Sequence, residues 1–136
     1  MDRDNGRMGF HKFFLAAMHN EPVTVFGDGR QTRDFTYVSD AVAATVSAST
    51  RGTPGAVYNI GGGSRVELLD VFELIGRITG RPLRLKMLEP QAGDMRDTYA
   101  DTARARADLA FAPAVTLEQG LRAQFQWMTE AGLFNT

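Results

Sequence analysis

The first apolar residues of the chain recur at intervals of three or four, which predicts one face of a helix: Phe10, Phe13, Phe14, Ala17 and Met18. Asn20 and Pro22 predict the end of this helix, because both residues interrupt helical backbone. The run 23–26, Val-Thr-Val-Phe, then predicts a short strand. Gly27-Asp28-Gly29 predicts a tight turn directly after it.

The middle of the chain alternates between extended and helical patterns. Phe35 to Val38 predicts extended backbone, and Ser39 is the predicted N-cap of a helix whose Val42 and Val46 face inward. The run 56–60 is apolar at nearly every position, which is typical of a strand covered on both faces. Residues 64–67 match a capping box, and the predicted helix after it has one apolar face: Leu68, Val71, Phe72, Ile75 and Ile78.

The last third of the chain predicts one strand and two helices. Residues 83–87 alternate between apolar and basic side chains, which indicates a strand with one solvated face. Asp101 or Thr102 opens a short helix that ends near Leu109. Residues 116–119 form a second capping box, and the helix after it is predicted to bury four side chains: Leu117, Leu121, Phe125 and Met128. These elements predict an α/β chain with about five helices and few strands, too few for a complete parallel sheet.

The composition restricts the classes of function. The 136 residues suit one domain, and a net charge of −1 argues against a nucleic-acid or anionic-membrane surface. The absence of cysteine excludes disulfides and predicts a cytoplasmic location. No apolar run approaches the roughly 18 residues that span a bilayer. His11 and His19 are eight residues apart rather than the three or four that a metal site on a helix requires, so no metal is expected.

Three motifs occur in an order that is characteristic of one family. They are VTVFGDGRQTRDFTYVSDAVAA, VYNIGGGSRVELLDVFELI and AGDMRDTYADTARARADLAF, and together they cover most of the chain between Arg7 and Met128. The chain resembles the C-terminal, substrate-binding part of extended short-chain dehydrogenases, within the NAD-dependent nucleotide-sugar epimerases and dehydratases. UDP-glucuronate and UDP-glucose 4-epimerases are the most similar in these motifs. The resemblance implies that residues 1–136 form a single substrate-binding domain fragment without the NAD-binding domain.

Two motifs of that family are missing from the sequence. The chain has no G-x-x-G-x-x-G, and none of its three tyrosines is followed four residues later by lysine. The resemblance therefore implies that NAD belongs to the full-length enzyme, that this chain binds no cofactor, and that it is inactive alone. The run 61–63, Gly-Gly-Gly, is compatible with an anion-binding nest, although a tight turn between strand and helix explains it better.

Arg33 is the first candidate site residue. The resemblance implies that the arginine of the T-R-D-F motif binds the pyrophosphate of a UDP-sugar such as UDP-glucuronate, UDP-glucose or UDP-galactose. A guanidinium group suits this role because its planar fork of donors matches phosphate oxygens and stays charged. The alternative is a local ion pair with Asp34 or Asp40, which contributes only roughly 0–1 kcal/mol when exposed.

Three further residues are expected to contact the uridine. The resemblance implies that the strand carrying Thr24 and Phe26 binds the edge of the uracil through its backbone, with Phe26 packing on the base. It also places Met8 beside the uridine. The alternative for Phe26 is an ordinary core position.

The loop that contains Gln91, Asp94 and Arg96 matches a segment that closes over the nucleotide in the family. The resemblance implies that Asp94 accepts hydrogen bonds from the ribose hydroxyls. Several relatives have arginine where this chain has Gln91, so a second phosphate contact depends on Arg96. The alternative for all three residues is a solvated loop.

Two hypotheses of different classes follow. In the first, the chain is the UDP-sugar-binding part of an epimerase or dehydratase. In the second, it is a stand-alone or truncated module that forms a homodimer through the unpaired strand 56–60 without binding nucleotide.

Overall fold

A computed structural model describes residues 9–62, 65–90 and 101–135 of the chain. Within these ranges there are five helices and four strands, in the order α1 Gly9–His19, β1 Pro22–Phe26, β2 Thr32–Asp34, α2 Val38–Arg51, β3 Arg65–Glu67, α3 Leu68–Thr79, β4 Arg84–Leu88, α4 Ala103–Leu109 and α5 Leu117–Glu130. β1 pairs with β4, and β2 pairs with β3. The prediction of an α/β chain with few strands and about five helices is confirmed.

The chain divides into two compact units. The first unit comprises residues 1–31, 67–95 and 121–136, and the second comprises residues 32–66 and 96–120. Each unit has its own cluster of buried apolar side chains.

The first unit is built on the parallel pair of β1 and β4. Val23 lies opposite Leu85, and Val25 lies opposite Met87. The two valines are buried and pack with Phe72 of α3. The ring of Phe13 from α1 contacts the Phe72 ring edge-on, with 4.9 Å between the ring centroids. The period of two in β1 therefore orients one face of the strand toward the two helices.

The C-terminal end of α1 is capped by left-handed backbone and by two arginines. Asn20 adopts left-handed backbone with φ of 55°, which ends the helix as predicted. Arg81 donates from Nη1 to the carbonyl of Met18 at 2.8 Å, and Arg84 donates from Nη1 to that of Asn20 at 3.1 Å. Two guanidinium groups thus neutralise the negative end of the helix.

The C-terminal helix α5 contributes the remaining large side chains of the first unit. Leu121 and Met128 are buried, as the helical spacing predicts. Phe125 stacks on Phe14 with 5.5 Å between ring centroids and also contacts Phe134 at 5.5 Å. The predicted capping box is confirmed, since the Thr116 amide donates to Gln119 Oε1 and the Gln119 amide donates to Thr116 Oγ1.

The second unit has a core of smaller residues, and here the prediction for α2 is wrong. Ala44 is buried with Ala105, Leu109 and Phe111, whereas Val42 and Val46 are 55% and 64% exposed. Val42 and Val46 each lie two positions from Ala44, and two positions correspond to about 200° around a helix. The alanine face packs inward because it admits close approach of Tyr58 and Ile60, so the valines face outward.

The predicted strand at residues 56–60 is absent. The segment forms no ladder with any strand in the described part of the chain. Tyr58 and Ile60 pack against the core, while Val57 is 73% exposed. The alternation fits extended backbone, but a strand assignment needs a hydrogen-bonded neighbour.

Two predicted caps are also wrong. Tyr37, not Ser39, occupies the N-cap of α2, and no side-chain hydrogen bond caps it. Residues 65–67 form β3 rather than the first turn of a helix, so α3 begins at Leu68. The amide of Leu68 donates instead to the carbonyl of Gln31 at 3.0 Å, so backbone replaces the predicted side-chain cap.

Candidate functional site

Arg33 lies at the centre of β2 in the second unit and is half-buried. Its Nη1 donates to the carbonyl of Thr32 at 2.7 Å, which directs the guanidinium back along the strand. This bond uses one of the five N–H donors of the group. The side chain is therefore a half-buried cation on a short strand.

The two carboxylates that could have explained Arg33 as a simple ion pair each have backbone partners. Asp40 is buried, and its two oxygens accept the amides of Ala114 at 2.9 Å and Val115 at 3.2 Å. Asp34 accepts the amide of Gly62 through Oδ1 at 2.8 Å. Both carboxylates therefore accept backbone hydrogen bonds that do not depend on Arg33.

Thr24 and Phe26 lie on β1 in the first unit. Two residues apart on a strand, they face the same side, opposite the buried Val23 and Val25. Thr24 is exposed and Phe26 is half-buried. This outward face of β1 is the one on which a flat ring could pack.

The backbone of β1 has one paired edge in the described part of the chain, the edge toward β4. Alternate residues of a strand direct their N–H and C=O groups to its other edge, where a base could bind. The carbonyl of Phe26, at the C-terminal end of β1, already accepts a hydrogen bond from Nε2 of the buried Gln31 at 3.2 Å. A carbonyl oxygen has two lone pairs, so this bond leaves one acceptor position.

The turn after β1 requires glycine because of its backbone conformation. Gly27 and Gly29 have φ of 92° and 74°, a region that side chains disfavour. A Cβ on Gly29 would lie 2.6 Å from Cδ2 of Leu69, whose amide donates to the Gly29 carbonyl. The turn therefore holds the chain against the start of α3 as it leaves β1.

Four predicted site residues lie outside the described residues: Met8, Gln91, Asp94 and Arg96. The described chain before residue 91 ends at Pro90, whose Cγ would be 3.8 Å from a Cβ on Gly27. The Gly27 amide also donates to the carbonyl of Leu88 at 2.8 Å. Pro90, which follows β4, therefore lies at the same end of the parallel strand pair as the glycine turn.

The second glycine run does not fit the pyrophosphate of a dinucleotide. The amide of Gly62 donates to a carboxylate, and that negative charge would repel a phosphate. A Cβ on Gly62 would overlap the carbonyl oxygen of Phe35, so the glycine is needed for close packing. Gly62 therefore serves the close packing of this turn.

Neither a metal site nor a membrane span is found among the described residues. Across residues 9–62, 65–90 and 101–135, no three His, Asp or Glu side chains are grouped so that they could hold a metal ion. No helix in these same ranges is long and apolar enough to cross a bilayer.

Sequence reasoning missed three polar residues that organise these surroundings. Gln31 ties the glycine turn to β1, Asp34 ties β2 to Gly62, and Asp40 holds the loop before α5. A weak signal existed for Asp40, because an acidic residue in the first turn of a helix is common. The partners of Gln31 and Asp34 are backbone groups, which leave no mark in a sequence.

Comparison with known proteins supports the predicted resemblance. Residues 3–61 match the family model described as "NAD dependent epimerase/dehydratase family". A UDP-glucose epimerase of Bacillus subtilis, YtcB, described as uncharacterized, is 36% identical over 130 residues, which cover 93% of this chain and 40% of that protein.

Two solved structures resemble the chain closely. UDP-glucuronic acid 4-epimerase from Bacillus cereus, in complex with UDP-glucuronic acid and NAD, gives a TM-score of 0.84 at 34% identity, over 92% of this chain and 40% of that one. UDP-glucose 4-epimerase from Thermotoga maritima, with UDP-glucose, gives 0.85 at 32% identity, over 93% and 41%.

The chain thus spans about 40% of the length of the relatives it matches. The predicted resemblance is confirmed: residues 3–61 match that family's model, and most of the chain is similar to part of UDP-sugar epimerases.

Proposed function

We propose that the chain is the UDP-sugar-binding part of an NAD-dependent sugar epimerase or dehydratase. The observation that carries the proposal is Arg33, a half-buried cation on β2 within the T-R-D-F motif, in a fold that resembles structures holding UDP-glucuronic acid and UDP-glucose. A guanidinium group suits a pyrophosphate because it can donate two parallel hydrogen bonds.

The other contacts follow from the same motifs. Thr24 and Phe26 contribute the outward face and backbone of β1 to the uracil, with Met8 beside the uridine. Asp94 binds the ribose, and Gln91 and Arg96 are further candidates for contacts with the nucleotide. The substrate is UDP-glucuronate, UDP-glucose or UDP-galactose.

Oxidation and reduction at C4 of the sugar, with NAD, are assigned to the part of the enzyme that this chain does not match. The described residues support that division, because the Gly61-Gly62 turn does not suit a dinucleotide phosphate. We predict that the chain alone is inactive and that the enzyme is cytoplasmic. Epimerisation of UDP-glucuronate by the purified chain with added NAD would overturn the division.

The experiment that tests the proposal is calorimetric titration of the chain with UDP. Arg33→Ala is expected to weaken binding about tenfold or more, since a hydrogen bond to a charged group contributes about 1.5–3 kcal/mol. Arg30→Ala is the matched control: Arg30 is an exposed arginine three residues upstream, and its removal should leave the affinity unchanged. Absence of UDP binding by the unaltered chain, or equal binding by Arg33→Ala, contradicts the proposal.

A second candidate function is self-association as a homodimer. It is favoured by the segment 56–60, which has no strand partner in the described chain and exposes Val57 by 73%. Sedimentation equilibrium should then show dimers that dissociate in Val57→Asp. A monomer at every concentration would exclude this candidate.

A further inference from the structure

The strand that carries Arg33 is short and needs support from outside its own ladder. β2 has three residues, Thr32–Asp34, and pairs with the equally short β3. So few ladder bonds fix the orientation of a strand weakly. Side chains alternate along it, so Arg33 and Asp34 point to opposite sides.

Asp34 provides that support through the glycine turn. Its Oδ1 accepts the Gly62 amide at 2.8 Å, which joins β2 to a segment 28 residues further along the chain. The backbones meet so closely that a Cβ on Gly62 would overlap the Phe35 carbonyl oxygen. The hydrogen bond and the close approach together fix the backbone of Asp34 and Phe35, which directly follow Arg33.

The second oxygen of Asp34 does not take part in this bond. Oδ2 is buried and accepts no hydrogen bond from any group in the described chain. Asparagine would offer the same acceptor to Gly62, so the bond itself does not require a negative charge. The positioning effect of Oδ1 and the electrostatic effect of the carboxylate can therefore be separated by substitution.

We propose that Asp34 is a positioning residue for Arg33. By holding β2 against Gly62, it fixes the direction in which the Arg33 guanidinium leaves the strand, and so prepares it for a pyrophosphate. The inference rests on the proposed function, since Arg33 must bind the anion. The Asp34 charge itself opposes the bound phosphates, so only the hydrogen bond favours binding.

The test is a double-mutant cycle read by UDP titration. Asp34→Ala and Asp34→Asn remove the same charge, but only Asn keeps an oxygen for the Gly62 amide. We expect Asp34→Ala to bind UDP about tenfold more weakly than Asp34→Asn, which corresponds to loss of one hydrogen bond. When Arg33→Ala is added to each, the two should bind equally, because the positioned group is gone.

Uridine, which has no phosphate, is the control ligand. Asp34→Ala and Asp34→Asn should bind it with equal affinity if the loss acts through Arg33. A parallel loss of UDP and uridine binding would indicate general loss of structure and would overturn the inference. If Asp34→Ala does not fold, Asp34→Glu replaces it: it keeps the charge but misplaces the acceptor, and it should bind UDP more weakly than the unaltered chain.

The failures of the two proposals are distinguishable. If Arg33→Ala weakens UDP binding but Asp34→Ala equals Asp34→Asn, the positioning role is wrong and the proposed function stands. If Asp34→Glu binds UDP as the unaltered chain does, the positioning role is likewise wrong. If Arg33→Ala binds UDP normally, both are wrong.

Discussion

The two units of the molecule are stabilised in different ways. The first unit buries large side chains, among them Phe14, Val71, Ile75 and Met128, which are each 0% exposed. The core of the second unit is built on Ala44 and Ala105 beside Leu109 and Phe111. Apolar burial scales with area, so the second unit gains less from its core.

Side-chain hydrogen bonds join distant segments of the second unit. Asp40 holds two amides of the loop before α5, and Ser47 donates to the carbonyl of Leu109 at 2.8 Å. Tyr58 donates to Asp108 at 2.9 Å and accepts the Thr53 amide at 2.9 Å. Specific polar contacts thus add to the small apolar core in the unit that carries Arg33.

The largest effect should come from the aromatic core of the first unit. Phe14→Ala removes a fully buried ring that stacks on Phe125, and we expect it to lower the free energy of unfolding by about 3–5 kcal/mol. Urea denaturation measures this. Trp127→Ala is the control, because Trp127 is 57% exposed and should change stability by less than about 1 kcal/mol. Equal losses for the two would contradict this view of the core.

The next effect tests the polar order of the second unit. Asp40→Ala leaves the amides of Ala114 and Val115 without an acceptor, and we expect a loss of about 2–4 kcal/mol. Asp40→Asn keeps one oxygen and should lose about half as much. Asp70→Ala, on the exposed first turn of α3, is the control for a lost helix charge. If Asp40→Ala costs no more than Asp70→Ala, the contrast between the units is wrong.

A smaller effect compares one residue type in the two units. Val71→Ala removes a buried side chain from α3 and should lower the free energy of unfolding by about 1.5–3 kcal/mol. Val46→Ala removes an exposed valine from α2. It should raise the free energy of unfolding by roughly 0.5 kcal/mol, because alanine is the better helix former. Chemical denaturation distinguishes them, and a clear loss in Val46→Ala would show that something covers the valine face.

The smallest effect concerns the cap of α5. Thr116→Ala removes the oxygen that accepts the Gln119 amide and should destabilise the chain by about 1 kcal/mol. Thr116→Ser keeps the hydroxyl and should retain most of the stability. Thermal unfolding of both variants measures the difference, and a loss in Thr116→Ser as large as in Thr116→Ala would contradict the capping role.

The helices of the first unit could be predicted because their large apolar side chains recur at helical spacing. In α2 the same reasoning failed, since Ala44 and Ala48 rather than the more hydrophobic Val42 and Val46 face the core. Apolar periodicity ranks residues by size and hydrophobicity, and it fails where small residues allow close packing. β2 and β3 have only three residues each, too few for a recognisable alternation.

The candidate site was predicted unevenly for a related reason. Arg33, Thr24 and Phe26 are candidates because of the motifs around them, and the structure puts them on β2 and β1. Asp34 and Gln31 were not identified, because their partners are the amide of Gly62 and the carbonyl of Phe26. Contacts to backbone depend on the fold rather than on the partner's residue type, so sequence alone could not supply them.

A crystal structure of the chain with UDP bound tests the proposed function most directly. We predict that the guanidinium of Arg33 donates two hydrogen bonds to the pyrophosphate and that the uracil lies against β1 at Thr24 and Phe26. A pyrophosphate bound away from Arg33, with its guanidinium still directed along β2 to the Thr32 carbonyl, would contradict it.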